Sequence, residues 1–309
     1  MTERRKGPDH TLYRHLPRPD RVPLRWPNGA RVAFVLFLYF EAWEIDPPKW
    51  AVYDKRHDGV VGGLFPNYKT WSQYEYGNRV GIVRVLDLLG RHKLSVTVAA
   101  NAGACERYPY LVRQFRERRY EFAAHGTFAT RMLSSQMSEA EERAAISESL
   151  DTIERTSGTR PRGWIGQDYG ESTITPRLLA EAGLRYVADW GNDDQPYLLN
   201  TQPPLLSIPN QAEWDDVQMI WHRKVRADIW RDTVLDAFAQ LHADGATSGT
   251  VFGLHIHPWL TGAPHRIALL EAVVDKIAAA PGVWRTTAGE IAEYVTVIPA
   301  QRSEPRSPR

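Results

Sequence analysis

The sequence predicts a parallel β/α barrel. Strand-like and helix-like segments alternate seven or eight times between residues 29 and 299, and that repetition builds parallel strands joined by crossover helices. The first strand-like segment, Val32–Phe40, is apolar at nine consecutive positions, as a strand covered on both faces must be. No G-x-G-x-x-G follows it and no P-loop occurs, so the nucleotide-binding doubly wound sheets lose their main support. A chain of 309 residues is an ordinary size for one such barrel.

The elements follow in order. Arg31–Phe40 is the first predicted strand. Asn78–His92 places Ile82, Val85, Leu86 and Leu89 at i, i+3, i+4 and i+7, one face of a helix. Ser95–Asn101 is a strand, Pro109 opens a helix to Arg118, and Tyr120–His125 is again a strand. Ser138 with Glu141 makes a capping box for a helix that stops near Gly158. Arg162–Ile165 is a short strand. Thr175 as N-cap, Pro176 at the first helical position and Gly183 as the stop bound a helix over 176–182. Arg185–Trp190, Leu205–Pro209 and Thr250–His257 are strands, and helices fill 228–243 and 265–279. Val283–Thr286 is the last strand, and Thr287 with Glu290 caps the last helix.

Residues 1–28, rich in Pro, Arg and His, are expected to wrap the barrel domain at 29–299 as an arm, and residues 300–309 to form a disordered tail. Hydrophobic content is 43% and charged content 24%, enough for a sizeable core. Lys+Arg and Asp+Glu balance at 38 against 37, which leaves no electrostatic footprint for nucleic acid or a membrane surface. No apolar run reaches the ~18 residues of a membrane span. The N-terminus lacks the apolar stretch of a signal peptide, so the expectation is a cytoplasmic protein. The single cysteine, Cys105, rules out an intrachain disulfide. A lone thiol needs an activating base to act as a nucleophile, so Cys105 is read as a small residue at a helix start.

Catalytic residues of a barrel lie at the C-terminal ends of its strands, which turns the strand list into a site list. The first strand runs into Glu41, and a carboxylate there is costly to bury unless paired, metal-bound or hydrogen-bonded. It reads as a metal ligand, a general base, or a loop carboxylate meeting an arginine. His125 ends the third strand between small residues and Gly126, a ligand-accessible position or a satisfied structural one. His255 and His257 stand two apart on one face of a strand, as a metal pair, an acid–base pair, or one working and one packing residue. Asp193 and Asp194 follow another strand end, and Glu213, Asp215 and Asp216 lie beyond Pro209 on the same rim. Six of the 11 tryptophans (Trp43, Trp164, Trp190, Trp214, Trp221 and Trp259) fall at or near strand ends, which suits a flat-walled pocket for a ring.

Five segments then carry a resemblance. They are Tyr76–Ile82, Ala124-His125-Gly126, Thr159–Trp164, Asp189–Tyr197, and His257-Pro258 through Gly262, Pro264 and Arg266. Over roughly residues 25–295 the chain resembles the polysaccharide deacetylase (NodB-like) superfamily, within it the branch of allantoinase-type and cyclic-imide hydrolases. The resemblance implies a distorted (β/α)7 barrel. It also implies a divalent metal held by an Asp after the first strand and two His at i and i+4, with a neighbouring Asp as base and a late-strand His as acid. Here Glu41 takes the metal Asp position, and the base Asp position falls on Tyr39 or Phe40. His125 matches the first metal His, its i+4 partner is Ala129, His257 matches the late His, and His255 is extra.

Glu41 and His125 alone are one short of the three protein ligands that zinc takes, and the allantoinase-type branch shares the missing His. The favoured expectation is therefore a hydrolase of non-peptide C–N bonds that opens a small cyclic amide or imide without a required cofactor. Glu41 or His125 would activate water and His257 would protonate the leaving nitrogen. Asp193, Asp194, Glu213 or Asp216 would orient imidazoles or bind ring N–H groups. Arg160, Trp164, Trp190 and His255 would complete the substrate site. The alternative is a zinc-dependent, or other divalent-metal, deacetylase or deformylase with Glu41 and His125 as ligands. A ligand-binding barrel without chemistry is opposed by the retained His125 and His257. The resemblance also implies a homo-oligomer.

Overall fold

The computed structural model describes residues 10–59 and 65–297. The expected tail at 300–309 lies outside them, as does the start of the arm. Among the described residues the nine strands are β1 (Val32–Phe40), β2 (Val96–Ala100), β3 (Glu121–Ala124), β4 (Gly163–Trp164), β5 (Tyr186–Val187), β6 (Tyr197–Leu199), β7 (Leu205–Ser207), β8 (Thr250–Ile256) and β9 (Val283–Thr286). Seven run parallel in the order β7-β5-β4-β3-β2-β1-β8, and β6 adds an antiparallel edge beside β7. β9 pairs with Val32–Val35 of β1, the stretch before β2 joins at Leu36. This is the expected distorted (β/α)7 barrel, and β6 is the strand the sequence reading missed. Three residues between turns carry too little pattern to register.

The helices are α1 (Tyr68–Tyr76), α2 (Ile82–Arg91), α3 (Ala102–Arg107), α4 (Pro109–Glu117), α5 (Glu139–Ser157), α6 (Thr175–Glu181), α7 (Ala227–Asp244), α8 (Ile267–Ala279) and α9 (Ala288–Val297). Both capping boxes form: Ser138 with Glu141, and Thr287 with Glu290. α1 was not expected, and α3 is the short helix on which Cys105 was placed. A π-helical turn over Gly77–Gly81 joins α1 to α2, so the helix starts ten residues before the expected Asn78. Its glycines are there for space. A Cβ on Gly77 would lie 2.8 Å from Trp259, and one on Gly81 would lie 2.1 Å from the Pro258 carbonyl oxygen. The motif Tyr76–Ile82 is thus the seat on which the loop after His257 rests.

The alternation of β1 decides what faces the site. Phe34, Leu36, Leu38 and Phe40 pack against the helices. Ala33, Val35, Phe37 and Tyr39 point into the barrel with Ala99, Ala123, Ile165 and Val251. α9 closes the strands' N-terminal end, where the N–H groups of Ala288 and Gly289 donate to Thr97 and Glu121. The opposite end is left for the polar residues.

The barrel is not closed by strand pairing between β7 and β8. Gln211 fills the gap, its side-chain amide donating to Val251 O and accepting from Gly253 N. Asp194 O accepts from Val251 N at 2.9 Å, and Trp214 Nε1 donates to Gly253 O at 2.9 Å. The described part of the arm lies across this side. Arg21 bonds both carboxylate oxygens of Asp193, and Trp26 Nε1 donates to Thr250 O. No helix among the described residues is long and apolar enough to cross a membrane.

Candidate active site

At the C-terminal ends of the strands, Glu41, His125, His257, Asp215 and Gln167 line a cavity of about 20 Å³ with Tyr39, His57, Asp168 and Tyr169. That is room for about one water molecule. The residues arrive from the ends of β1, β3, β4 and β8 and from the loop after β7, as the strand-end rule requires.

His257 follows β8 directly. Its Nδ1 lies 2.6 Å from Asp216 Oδ1, while Asp216 Oδ2 accepts from the His257 N–H at 2.9 Å and from Thr261 Oγ1 at 3.0 Å. A carboxylate only accepts, so Nδ1 carries a proton and Nε2 is left for the cavity. Burial opposes charge on the ring, but Asp216, with help from Asp215 and Glu41, outweighs it and raises the pKa to about 9. At neutral pH His257 is an imidazolium. The Tyr39 ring stacks on it, centroids 4.0 Å apart and planes 14° apart.

Glu41 is the opposite case. Burial disfavours its charge, but the His125 hydrogen bond and the His257 charge hold its carboxyl down at about 2. Gln167 Nε2 donates to Oε1 at 3.2 Å, and Trp43 Nε1 donates to Oε2 at 3.3 Å. His125 Nδ1 lies 2.6 Å from the Ile165 carbonyl oxygen, which fixes a proton there and turns Nε2 toward Glu41 Oε1, 3.4 Å away. Carboxylate and imidazole thus share a proton or accept from one water. One wall of the cavity is an anion and the other a cation.

Below them, Tyr39 OH bonds His255 Nδ1 at 2.9 Å and Tyr169 OH at 3.3 Å, and Tyr169 OH donates to Asp215 Oδ2 at 2.6 Å. Burial pushes the Asp215 carboxyl up, to about 6. Its Oδ1 accepts from Val217 N and Gln218 N at the start of a second π-helical turn, Val217–His222.

Of the residues expected here, Glu41, His125, His257 and Asp216 come together. The others do not. Arg160 is on the outer surface, bound to Asp151 and Glu154 of α5. Trp164 points into the helix-facing core, and so is no pocket wall. Trp190 donates to Glu171 and meets the arm at Tyr13. Asp193 and Asp194 are occupied by Arg21 and Arg18 of the arm, and Glu213 is exposed and paired with Arg223. In each acidic case a nearby arginine offers a stronger partner than a substrate N–H. His255 lies beneath the cavity against Phe37 and Tyr39 rather than lining it. The tryptophan rim survives in part. Trp43 stacks on Tyr74, with Trp259 edge-on to Tyr74 and Trp221 edge-on to Trp259. Trp43 and His57 also border a neighbouring pocket of about 380 Å³. Cys105 is buried, and burial pushes its thiol up to about 12, so it is no nucleophile.

His57, Gln167, Asp168 and Tyr169 were missed. The segment Gln167–Tyr169 follows β4, so the strand-end rule already pointed to it. His57 sits in a long loop with no such signal. The metal position implied by the resemblance is not met by these residues. Ala129 is buried, its N–H committed to Ala42 O. Glu41 and His125 belong to no three-donor group among the described residues, and zinc takes three protein ligands.

The chain is similar to known proteins over most of its length. Residues 69–187 match the polysaccharide deacetylase family. A Schizosaccharomyces pombe protein provisionally named a polysaccharide deacetylase is 27% identical over 301 residues, covering 87% of this chain and 91% of that one. The solved structure of PuuE allantoinase aligns with a TM-score of 0.78 and 27% identity over 89% of this chain and 93% of its own. A probable polysaccharide deacetylase from Pseudomonas aeruginosa PAO1 aligns at 0.77 and 27% identity, over 87% and 92%.

Proposed function

We propose that this chain, which belongs to the polysaccharide deacetylase superfamily and is a hydrolase of carbon–nitrogen bonds other than peptide bonds, opens the ring of a small cyclic amide or imide of hydantoin type. The observation that carries this reading is the opposed ionisation across one water-sized space: Glu41 held down at about 2, His257 held up at about 9. Two groups whose environments push them apart are an acid–base assignment. The allantoinase among the structural neighbours supports the ring-opening form of it.

In this reading a water gives its proton to the Glu41–His125 pair as its oxygen bonds to the ring carbonyl carbon. The C–N bond then breaks, and its nitrogen takes the proton of His257 Nε2. Asp216 holds the imidazole in the tautomer that presents Nε2. The product is one open chain with a new carboxylate. Each proton transfer contributes ~10²–10⁴-fold. No step uses a metal at Glu41 and His125. The relatives named as polysaccharide deacetylases favour a second reading, metal-dependent removal of an acyl group from an amino sugar or small N-acyl compound; Ala129 counts against it.

The test is chelator-dialysed protein assayed on a panel of hydantoins, cyclic imides and N-acetyl amino sugars. Ring opening with kcat unchanged by chelation is expected. Complete loss of kcat, restored by zinc, overturns the metal-free chemistry, and turnover of acetyl sugars alone overturns the substrate class.

A further inference from the structure

A second group of donors stands at the edge of the same cavity. His57, Asp168 and His222 bring one ligand atom each within 4.8 Å of one another. They come from separate places: a turn over Lys55–Asp58, the turn after β4, and the last residue of the π-helical turn Val217–His222. His57 Nε2 lies 2.8 Å from Asp168 Oδ1. Asp168 Oδ2 and both ring nitrogens of His222 are buried with no hydrogen-bond partner. Buried polar atoms are nearly always paired, so three orphans in one cluster call for a missing partner.

The chemistry of that partner follows from the donors. Asp168 only accepts, so without a metal His57 Nε2 carries the proton toward it. That proton leaves the His222 nitrogens and Asp168 Oδ2 without partners. Tyr74 OH donates to the His57 carbonyl oxygen at 2.6 Å, so its own oxygen can accept from His57 Nδ1, 3.4 Å away, when Nε2 gives up its proton to ligate. A metal ion engages a donor from all three residues. We propose that His57, Asp168 and His222 bind one divalent transition metal of the zinc or cobalt type, beside and distinct from the Glu41–His125 pair.

Two imidazoles and one carboxylate suit such an ion and leave a coordination position open. Donors around tetrahedral zinc stand about 3.4 Å apart, so small side-chain rotations complete the site. Tyr74 supplies the outer hydrogen bond that fixes a ligating histidine. The other three-donor group, Asp215, Asp216 and His257, is less suited because Asp216 already accepts three hydrogen bonds from His257 and Thr261. His57 and Asp168 also line the catalytic cavity, so a ligand at the open position lies beside Glu41 and His257. The metal would anchor a carbonyl or carboxylate oxygen of the substrate, while the proton transfers stay with Glu41, His125 and His257.

The test uses the untagged full chain, stripped with chelator and titrated with Co²⁺, read by its visible absorption and by elemental analysis. One equivalent is expected. His222→Ala and Asp168→Asn should each weaken it at least about 100-fold, beyond the usual 10–100-fold loss for an outer-shell change, with His125→Ala leaving it intact. Absence of stoichiometric binding overturns the proposal, as does binding indifferent to His222→Ala or lost in His125→Ala. Because binding is read directly, this outcome is independent of whether ring opening occurs.

Discussion

His255 and His257 leave the barrel wall two positions apart on the same side, and both are buried, yet they are opposite chemical objects. His255 meets the Phe37 ring face and the Tyr39 hydroxyl, and its Nε2 has no partner. Burial, reinforced by the charge of His257, drives its pKa down to about 3. His257 meets Asp216, and that carboxylate reverses the effect of burial and lifts it to about 9. The strand supplies position, but the partner supplies charge. A histidine pair in a sequence is therefore not a functional pair until the groups behind each ring are known.

The largest blow to this contrast is His257→Ala. With the acid gone, kcat should fall ~10²–10⁴-fold, and steady-state rates on the best cyclic substrate measure it. A drop of less than about threefold would move the acid elsewhere.

Asp216→Asn should act less on rate and more on pH. Wild-type activity should fall as pH rises through about 9, where His257 loses its proton. Removing the carboxylate lowers that pKa, so the alkaline limb should move to lower pH. The pair should also act on stability. A raised folded-state pKa stabilises fully below the ordinary imidazole value near ~6.5 and ceases to do so as pH rises through about 9. Denaturant midpoints of wild type and variant should therefore converge at alkaline pH. An unmoved limb would show that Asp216 does not set the ionisation.

His255→Leu should change catalysis least. It leaves the Tyr39 hydroxyl with Tyr169 alone, at a stability cost of about 1–3 kcal/mol, readable as a denaturant midpoint. The alkaline limb should stay where it is. A shift there would mean that the two rings are coupled after all.

Much of the fold was legible because alternating strands and helices with proper caps leave few alternatives. Glu41, His125 and His257 were legible because strand ends point to one face. Trp164 shows why the wall was not. A barrel strand is apolar on both faces, so its pattern does not say which parity looks inward, and one residue of register separates pocket from helix layer. Asp193 and Asp194 were misread for another reason: their partners, Arg21 and Arg18, come from some 170 residues away, and nothing local announces such pairing. The cluster of His57, Asp168 and His222 escaped on the same ground, since its members share no strand.

The glutamine that bridges β7 and β8 has a consequence beyond this molecule's own shape. An unpaired strand invites a strand from another molecule. Along β8 the backbone groups of Val251 and Gly253 that face the gap are taken by Gln211, the Asp194 carbonyl and the Trp214 indole. A side-chain amide has the same donor and acceptor as a peptide group, so Gln211 serves as a one-residue counterfeit strand. It lets the barrel stay open at that point without offering a sticky edge to its neighbours.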